Sequence, residues 1–166
     1  MTTTPRQQSR SRRESTDEAR QRALKLWVVL ARAQGAVARH AEADVAEHGL
    51  TLAEFGILEA LFHKGRLRTG ELQQKVLVTS GGITYLVDRL ARRRLVRRVA
   101  CPQDRRVRYI ELTAAGEELM RGAFDRHARR IARAVAGLSP KEQEQAIRLL
   151  RTLGRAAADE EAAPEP

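Results

Sequence analysis

The chain has 166 residues, of which 42% are hydrophobic and 31% charged, and this composition is typical of a globular domain with a real core rather than of a disordered protein. No apolar run approaches the roughly 20 residues needed to span a bilayer, so we expect no membrane partner. Residues 1–15 lack the apolar segment of a secretory signal, and the single cysteine excludes an internal disulfide; both favour a cytoplasmic protein.

The net charge of +10 lies in two segments. Residues 79–108 carry nine arginines against two aspartates, and residues 1–15 carry four arginines against one glutamate, so the remaining residues sum to zero. Positive charge that is confined to one segment favours a polyanion docking there over a generally solvated charged surface.

Composition divides the chain into three parts. Residues 1–15 are polar, rich in Arg, Ser and Gln, and without periodicity, and are predicted to be a disordered basic arm. Residues 16–157 contain no linker and are predicted to form one domain, and residues 158–166 a flexible acidic tail.

Local start and stop signals predict about six helices. A Ser or Thr followed three residues later by Glu forms a capping box, and Gly commonly ends a helix. The predicted starts are Ser15 with Glu18, Thr51 with Glu54, Thr69, about Ser80, Thr113, and Ser139 with Glu142, and the predicted stops include Gly49 and Gly65.

Two short apolar runs, "LVRRVA" and "RVRYIEL", flank a Pro-Gln-Asp turn and predict a β-hairpin. It directly follows a short helix, a tight connection and a second helix, which is the order of a winged helix-turn-helix. The fold class is therefore mainly α with a small β-hairpin wing (α+β).

The helix predicted at residues 80–94 has two faces. Ile83, Leu86, Val87 and Leu90 share one face with Val76 and must pack inward. The other face is predicted to read a major groove through Ser80, Gly81, Gly82, Thr84, Tyr85 and Arg89, with Asp88 beside them. Small residues and the helix dipole at its start favour close approach to phosphate.

The predicted wing explains the clustered arginines, since so many cannot be buried unpaired. On a projecting hairpin they would lie along the phosphate backbone, with the tip in the minor groove. The arginines concerned are Arg97, Arg98, Arg105, Arg106 and Arg108. Asp104 would order the tip by pairing with Arg89 or Arg106, or would be an ordinary turn-forming residue.

The stretch "LVTSGGITYLVDRLARRRLVRRVACPQDRRVRYIELTAAG" resembles the MarR family of bacterial winged-helix transcription regulators, and the resemblance runs from about Ala23 to Arg155. It implies an obligate homodimer with dimerisation regions at residues 16–48 and 114–157 and a DNA-binding region at 51–112. It further implies a palindromic operator, usually a repressor role, a reading helix from Ser80 to Arg89, and a wing tip at Arg105 and Arg106. Family members usually have Gly where Arg94 stands, so a left-handed helix end would be strained here. A narrower similarity is to a branch with quinone-responsive repressors.

Trp27, Phe55 and Phe62 are candidates for an aromatic effector pocket or for simple core packing. Cys101 lies among cations that would lower a thiol's pKa, so it is either a redox switch or a small residue at a strand end. No Cys/His spacing indicates a metal site among His40, His48, His63 and His127, and His127 on an apolar stripe is better explained as a core or interface residue. No cofactor is expected.

No nucleophile–base pair, phosphate-binding Gly loop or metal cluster indicates an enzyme. The sequence therefore predicts a homodimeric repressor that a small aromatic or quinone-like effector releases from a palindromic operator. The alternatives are an architectural DNA-binding protein without operator preference, a thiol-based sensor using Cys101, and a helical protein–protein adapter, which leaves the basic segment without a partner.

Overall fold

The computed structural model describes the backbone of residues 5–76, 80–101 and 108–161, and side chains within 16–76, 82–101 and 108–160. The chain divides into two compact units, residues 1–39 and 40–166, with the boundary inside the first helix. The elements are α1 (Pro5–Ala46), α2 (Leu52–Lys64), β1 (Leu67–Arg68), α3 (Thr69–Val76), α4 (Ser80–Arg92), β2 (Val96–Ala100), β3 (Arg108–Leu112), α5 (Ala114–Ala134) and α6 (Pro140–Glu161).

The predicted disordered arm is wrong from Pro5 onward, because α1 begins there and passes through Ser15 without a break. Pro is well suited to a first helical position, and Arg, Gln and Glu are good helix formers. Extending an existing helix adds one hydrogen bond per residue without a new nucleation cost. The capping-box spacing of Ser15 and Glu18 therefore marks no helix start.

Three other helix starts are confirmed by their caps. The Thr51 side chain accepts from the Glu54 backbone N–H while the Glu54 carboxylate accepts from the Thr51 N–H, which is a complete capping box. The Thr113 hydroxyl caps α5 by accepting from the Gly116 N–H. Ser139 and Glu142 cap α6 reciprocally, and the Ser139 hydrogen bonds lower the pKa of the Glu142 carboxyl.

The described strands form one antiparallel sheet in the order β1-β3-β2. Val96 pairs with Leu112 and Ala100 with Arg108, as the predicted hairpin requires. The third strand, β1, was not predicted; it pairs Leu67 with Ile110. Two residues are too short to show an alternating pattern, and they become a strand only through this long-range pairing.

The core of the second unit lies between α2, α4, α5 and the sheet. Its least exposed members include Phe55, Ile57 and Leu58 of α2, Leu72 of α3, Ile83, Val87 and Leu90 of α4, Val96, Ile110 and Met120. All of the side chains predicted to face inward from α4 are buried or partly buried against this core, which confirms that face of the helix.

The end of α4 is strained as its sequence suggested. The helix stops at Arg92, two residues earlier than predicted, and Arg94 takes a left-handed conformation with φ 58°. The Leu95 N–H returns to the Leu90 carbonyl at 3.0 Å, and the Thr113 hydroxyl donates to the Arg94 carbonyl at 2.6 Å. These bonds fix the turn between α4 and β2 and join it to the start of α5.

The last helix continues four residues beyond the expected end of the domain. The flexible tail predicted from residue 158 is wrong up to Glu161, and residues 162–166 lie outside the described part. Ala and Glu are good helix formers, so α6 extends through them. In the described residues no helix is long and apolar enough to cross a membrane.

Candidate DNA-binding site

The helix-turn-helix consists of α3 and α4, which contact each other and α2. Residues 77–79, which connect the two helices, lie outside the described residues. Leu72 fixes α3 to the core, and the buried stripe of α4 fixes the second helix. Because that stripe faces inward, the opposite side of α4 faces outward, as a reading helix requires.

The outer face of α4 consists of Thr84, Tyr85, Asp88 and Arg89. Thr84 is exposed and the Tyr85 side chain is 59% exposed, while Asp88 and Arg89 are half-buried. Ser80 and Gly81 form the first turn of the helix, although their side chains lie outside the described set, and Gly82 is half-buried. The arrangement places the hydroxyl groups of Thr84 and Tyr85 on the outward side of the helix.

Arg89 has a partner that the sequence did not reveal. Its Nε lies 3.2 Å from Oε1 of Glu54, a fully buried carboxylate at the start of α2. The contact is an ion pair by distance, but it lacks hydrogen-bond geometry. The Arg89 guanidinium carbon also lies 5.9 Å from the centre of the Tyr85 ring. The capping box identified Glu54 as a helix cap, but no local signal links it to a residue 35 positions on.

Two of the predicted wing arginines are engaged in ion pairs within the protein. Arg97 Nη2 lies 2.7 Å from Glu111 Oε1, across the β2–β3 pair, and Arg98 Nη1 lies 2.6 Å from Asp88 Oδ1 of α4. Arg108 is exposed at the start of β3. The three tip residues Asp104, Arg105 and Arg106 lie outside the described residues.

The base of the sheet carries two arginines that sequence reasoning missed. Arg66 and Arg68 lie over the Tyr109 ring, with guanidinium carbons 5.0 Å and 5.7 Å from its centre. A hydrogen bond from the exposed Arg68 to Tyr109 raises the pKa of that guanidinium further, so it stays charged at any physiological pH. The available signal was the alternation of Arg and Leu in "KGRLR", which can be recognised as a strand only once β1 is known to pair with β3.

The three aromatic candidates for an effector pocket occupy different environments. Trp27 is 65% exposed on α1, Phe55 is buried in the core with its ring 4.5 Å from that of His127, and Phe62 is half-buried. Phe62 lines an open cavity of about 460 Å³ behind the sheet. The other lining residues are Leu61, Gly65, Arg66, Arg97, Glu111, Leu112, Glu117 and Arg121.

Cys101 is buried, and His48 and His127 are half-buried within the fold. Cys101 lies at the end of β2. His127 Nδ1 lies 2.9 Å from Oδ2 of the buried Asp44, and Arg126 Nη2 lies 2.6 Å from His48 Nε2. Over the described ranges, no three His, Cys, Asp or Glu side chains are grouped so as to hold a metal ion.

A helix-turn-helix whose second helix presents a polar outer face, followed by an arginine-bearing antiparallel wing, defines a winged-helix DNA-binding protein. The pattern of the MarR family matches residues 48–107. The uncharacterized HTH-type transcriptional regulator YkoM of Bacillus subtilis is 40% identical over 138 residues, covering 83% of this chain and 90% of YkoM. The HTH-type transcriptional regulator MhqR of the same organism is 37% identical, covering 81% of this chain and 92% of MhqR. The chain belongs to the MarR family of transcriptional regulators, which bind DNA and are not enzymes.

Solved structures agree with the fold. The MarR family regulator Sco3205 of Streptomyces coelicolor, solved in complex with DNA, is 26% identical with a TM-score of 0.75, covering 80% of this chain and 86% of that one. BpsR of Bordetella bronchiseptica, solved to explain how 6-hydroxynicotinic acid regulates its DNA binding, is 25% identical with a TM-score of 0.69, covering 76% of this chain and 90% of that one. The predicted winged-helix class is therefore confirmed.

Proposed function

We propose that the protein is a homodimeric repressor that binds a palindromic operator and is released from it by a small aromatic or quinone-like effector. The observation that carries this proposal is the geometry of α4, whose apolar side is locked into the core while Thr84 and Tyr85 project outward beside the arginine-bearing strands. Two copies related by a two-fold axis would present two such helices to successive half-sites of a duplex.

Within each copy we assign base reading to α4 and backbone contacts to the wing. Ser80, Gly81 and Gly82 lie in the first turn of α4, where free backbone N–H groups attract phosphate. Arg105, Arg106 and Arg108 are assigned to the phosphate backbone and the adjacent minor groove. Arg97 and Arg98 are assigned weaker roles, since their charges are already compensated by Glu111 and Asp88.

The homodimer is supported by apolar side chains on both terminal helices. Leu24, Leu26, Trp27, Val28 and Val29 are exposed on α1, and Ile147, Leu149, Leu150 and Leu153 are exposed on α6. Large exposed apolar patches mark interaction surfaces. A second copy of this chain is the partner that also supplies the second reading helix for a palindrome.

The cavity behind the sheet supports an aromatic acid as the effector. Phe62 offers an aromatic wall, and the Arg66 guanidinium offers positive charge for a carboxylate. Arg97 and Arg121 also line the cavity, where a ligand carboxylate would compete with their partners Glu111 and Glu117. Arg97 belongs to wing strand β2, so a ligand that competes for it would disturb the wing. The name of the BpsR structure records such a ligand, an aromatic acid, for that protein.

A genomic footprint with the purified protein tests this function. We expect protection of one palindromic sequence that is retained against an excess of unrelated duplex, followed by its loss when an aromatic acid or quinone from a compound screen is added. Equal protection of all duplexes would instead indicate an architectural protein, because a steep salt dependence alone accompanies both functions.

A further inference from the structure

We propose that Glu54 is a positioning residue for DNA reading: from inside the core it holds Arg89, and through Arg89 the Tyr85 ring, so that the outer face of α4 has one fixed shape. The inference rests on the proposed function only in that α4 reads the operator. Glu54 itself touches no DNA, since its side chain is fully buried.

The two carboxylate oxygens of Glu54 make different contacts. Oε2 accepts from the Thr51 backbone N–H at 2.8 Å and from the Thr51 hydroxyl at 3.1 Å, and so caps α2. Oε1 has no hydrogen bond and faces Arg89 Nε at 3.2 Å. A buried carboxylate oxygen without a hydrogen bond depends on its ion-pair partner, so Arg89 is held strongly in place.

Arg89 transmits this constraint to the surface. It follows Tyr85 by one helical turn, and its guanidinium carbon lies 5.9 Å from the Tyr85 ring centre, within range of a cation–π contact. Tyr85 is a large exposed side chain of the outer face, so its rotamer decides which base edges that face fits. An arginine held on one side by Glu54 and stacked on the other against Tyr85 restricts that rotamer.

The Glu54–Arg89 ion pair also neutralises the positive charge of Arg89. Arg89 is next to the DNA-facing surface, yet its positive charge is balanced by a buried negative one. A free arginine there would bind phosphate of any sequence and strengthen non-specific binding. The pair therefore favours specificity over total affinity, and this distinguishes positioning from simple support of the fold.

Glu54→Gln is the direct test, because Gln is also found at this position of a capping box and keeps the cap while removing the charge. Operator and non-specific dissociation constants are measured over a salt series. We expect non-specific binding to tighten, the slope of log K against log salt to steepen by about 0.9 per protomer, and the specificity ratio to fall about tenfold. A purely structural role would weaken binding to both duplexes equally and leave the slope unchanged, and that result would overturn the proposal.

Glu111→Gln is the matched control, since it makes the same change on β2's partner strand and frees Arg97, away from α4. It should strengthen binding to all duplexes alike and leave the specificity ratio unchanged. A fall in the ratio equal to that of Glu54→Gln would contradict a role particular to Glu54.

If Glu54→Gln does not fold, Arg89→Lys replaces it, because Lys keeps the charge beside Glu54 but loses the planar group over Tyr85. That variant should lower the ratio without steepening the slope, and an unchanged ratio overturns the proposal.

Thr84→Ala separates this inference from the proposed function. If Thr84→Ala lowers the specificity ratio while Glu54→Gln and Arg89→Lys do not, α4 reads DNA without help from Glu54 and the inference fails alone. If none of the three variants changes the ratio, α4 is not the reading helix and both proposals fail.

Discussion

Arg94 shows that a single backbone angle has an energetic cost at the end of α4. Its φ of 58° lies in the region where side chains other than Gly are disfavoured by about 1–2 kcal/mol, while a glycine loses roughly 0.5–1 kcal/mol more entropy on folding. Arg94→Gly should therefore raise the free energy of unfolding by about 0.5–1 kcal/mol in a urea titration. Arg92→Gly removes the same charge from the last residue of α4 and should instead lower the free energy of unfolding. Equal effects of both variants would show that the loss of charge, not the φ of Arg94, determines the change in stability.

Gly116 is required because α5 starts against the turn after α4. A Cβ built at Gly116 would lie 2.1 Å from the Leu95 carbonyl oxygen, which also accepts from the Thr113 N–H. Gly116→Ala should cost about 3 kcal/mol of stability, measured by chemical unfolding, since backbone must move to admit the methyl group. Gly122→Ala on the same helix meets nothing within 4 Å and should stabilise by about 1 kcal/mol through helix propensity. A loss of stability well below this value in Gly116→Ala would mean that the backbone between α4 and α5 shifts at little cost.

Cys101 tests the thiol-sensor alternative. The residue is buried, so its sulfur is shielded from oxidants in this conformation, and we expect it to be a packing residue. Cys101→Ser should leave operator affinity nearly unchanged, and release of DNA by quinones or peroxides should persist in the variant. If this release is lost in Cys101→Ser, a thiol switch at the end of β2 is established.

At the scale of elements, local sequence signals predicted most helix boundaries, but they did not predict the contacts between residues far apart in the chain. Helices α2, α5 and α6 start where Thr51, Thr113 and Ser139 cap them, because a cap and its partner are three residues apart. The same spacing at Ser15 gave a wrong helix start, since a capping pattern does not show whether the residues before it are already helical. Strand β1 was missed because it exists only by pairing with β3. In the site, sequence identified the two faces of α4, but the ion pairs of its charged residues join separate elements.

The wing gives a prediction that depends on which arginines are compensated. Arg106 belongs to the predicted tip, and Arg106→Ala should weaken operator binding by about 1–3 kcal/mol in a low-salt titration. Arg97→Ala should cost less, because Arg97 is already paired with Glu111 at 2.7 Å and gives up that partner to bind phosphate. The comparison uses the same substitution on the same hairpin. A larger loss at Arg97 than at Arg106 would place the DNA along the strands instead of at the tip.

At the scale of the whole molecule, the proposed function assigns the positive charge and the exposed apolar surface to different partners. Ion pairs within the second unit compensate Arg89, Arg97 and Arg98 with Glu54, Glu111 and Asp88, so the number of arginines there overstates the number of uncompensated cations that a duplex meets. The apolar side chains of α6 lie on a different helix from the polar outer face of α4. In the proposed function they hold two copies together, and the dimer doubles the contacts that each copy makes alone.

In the proposed function the dimer therefore controls operator affinity, and α6 offers a direct test. Leu150 is 50% exposed, so Leu150→Glu removes little from the core but places a charge on the apolar side of the helix, where pairing with a second copy would bury it unpaired. We expect the variant to sediment as a monomer and to lose at least about a hundredfold in operator affinity while keeping weak non-specific binding, because one reading helix is then anchored without the other. Thr152→Glu adds the same charge two residues on, which is about 200° around the helix from Leu150, and should remain dimeric. A Leu150→Glu variant that stays dimeric and keeps its operator affinity would exclude this side of α6 from the dimer.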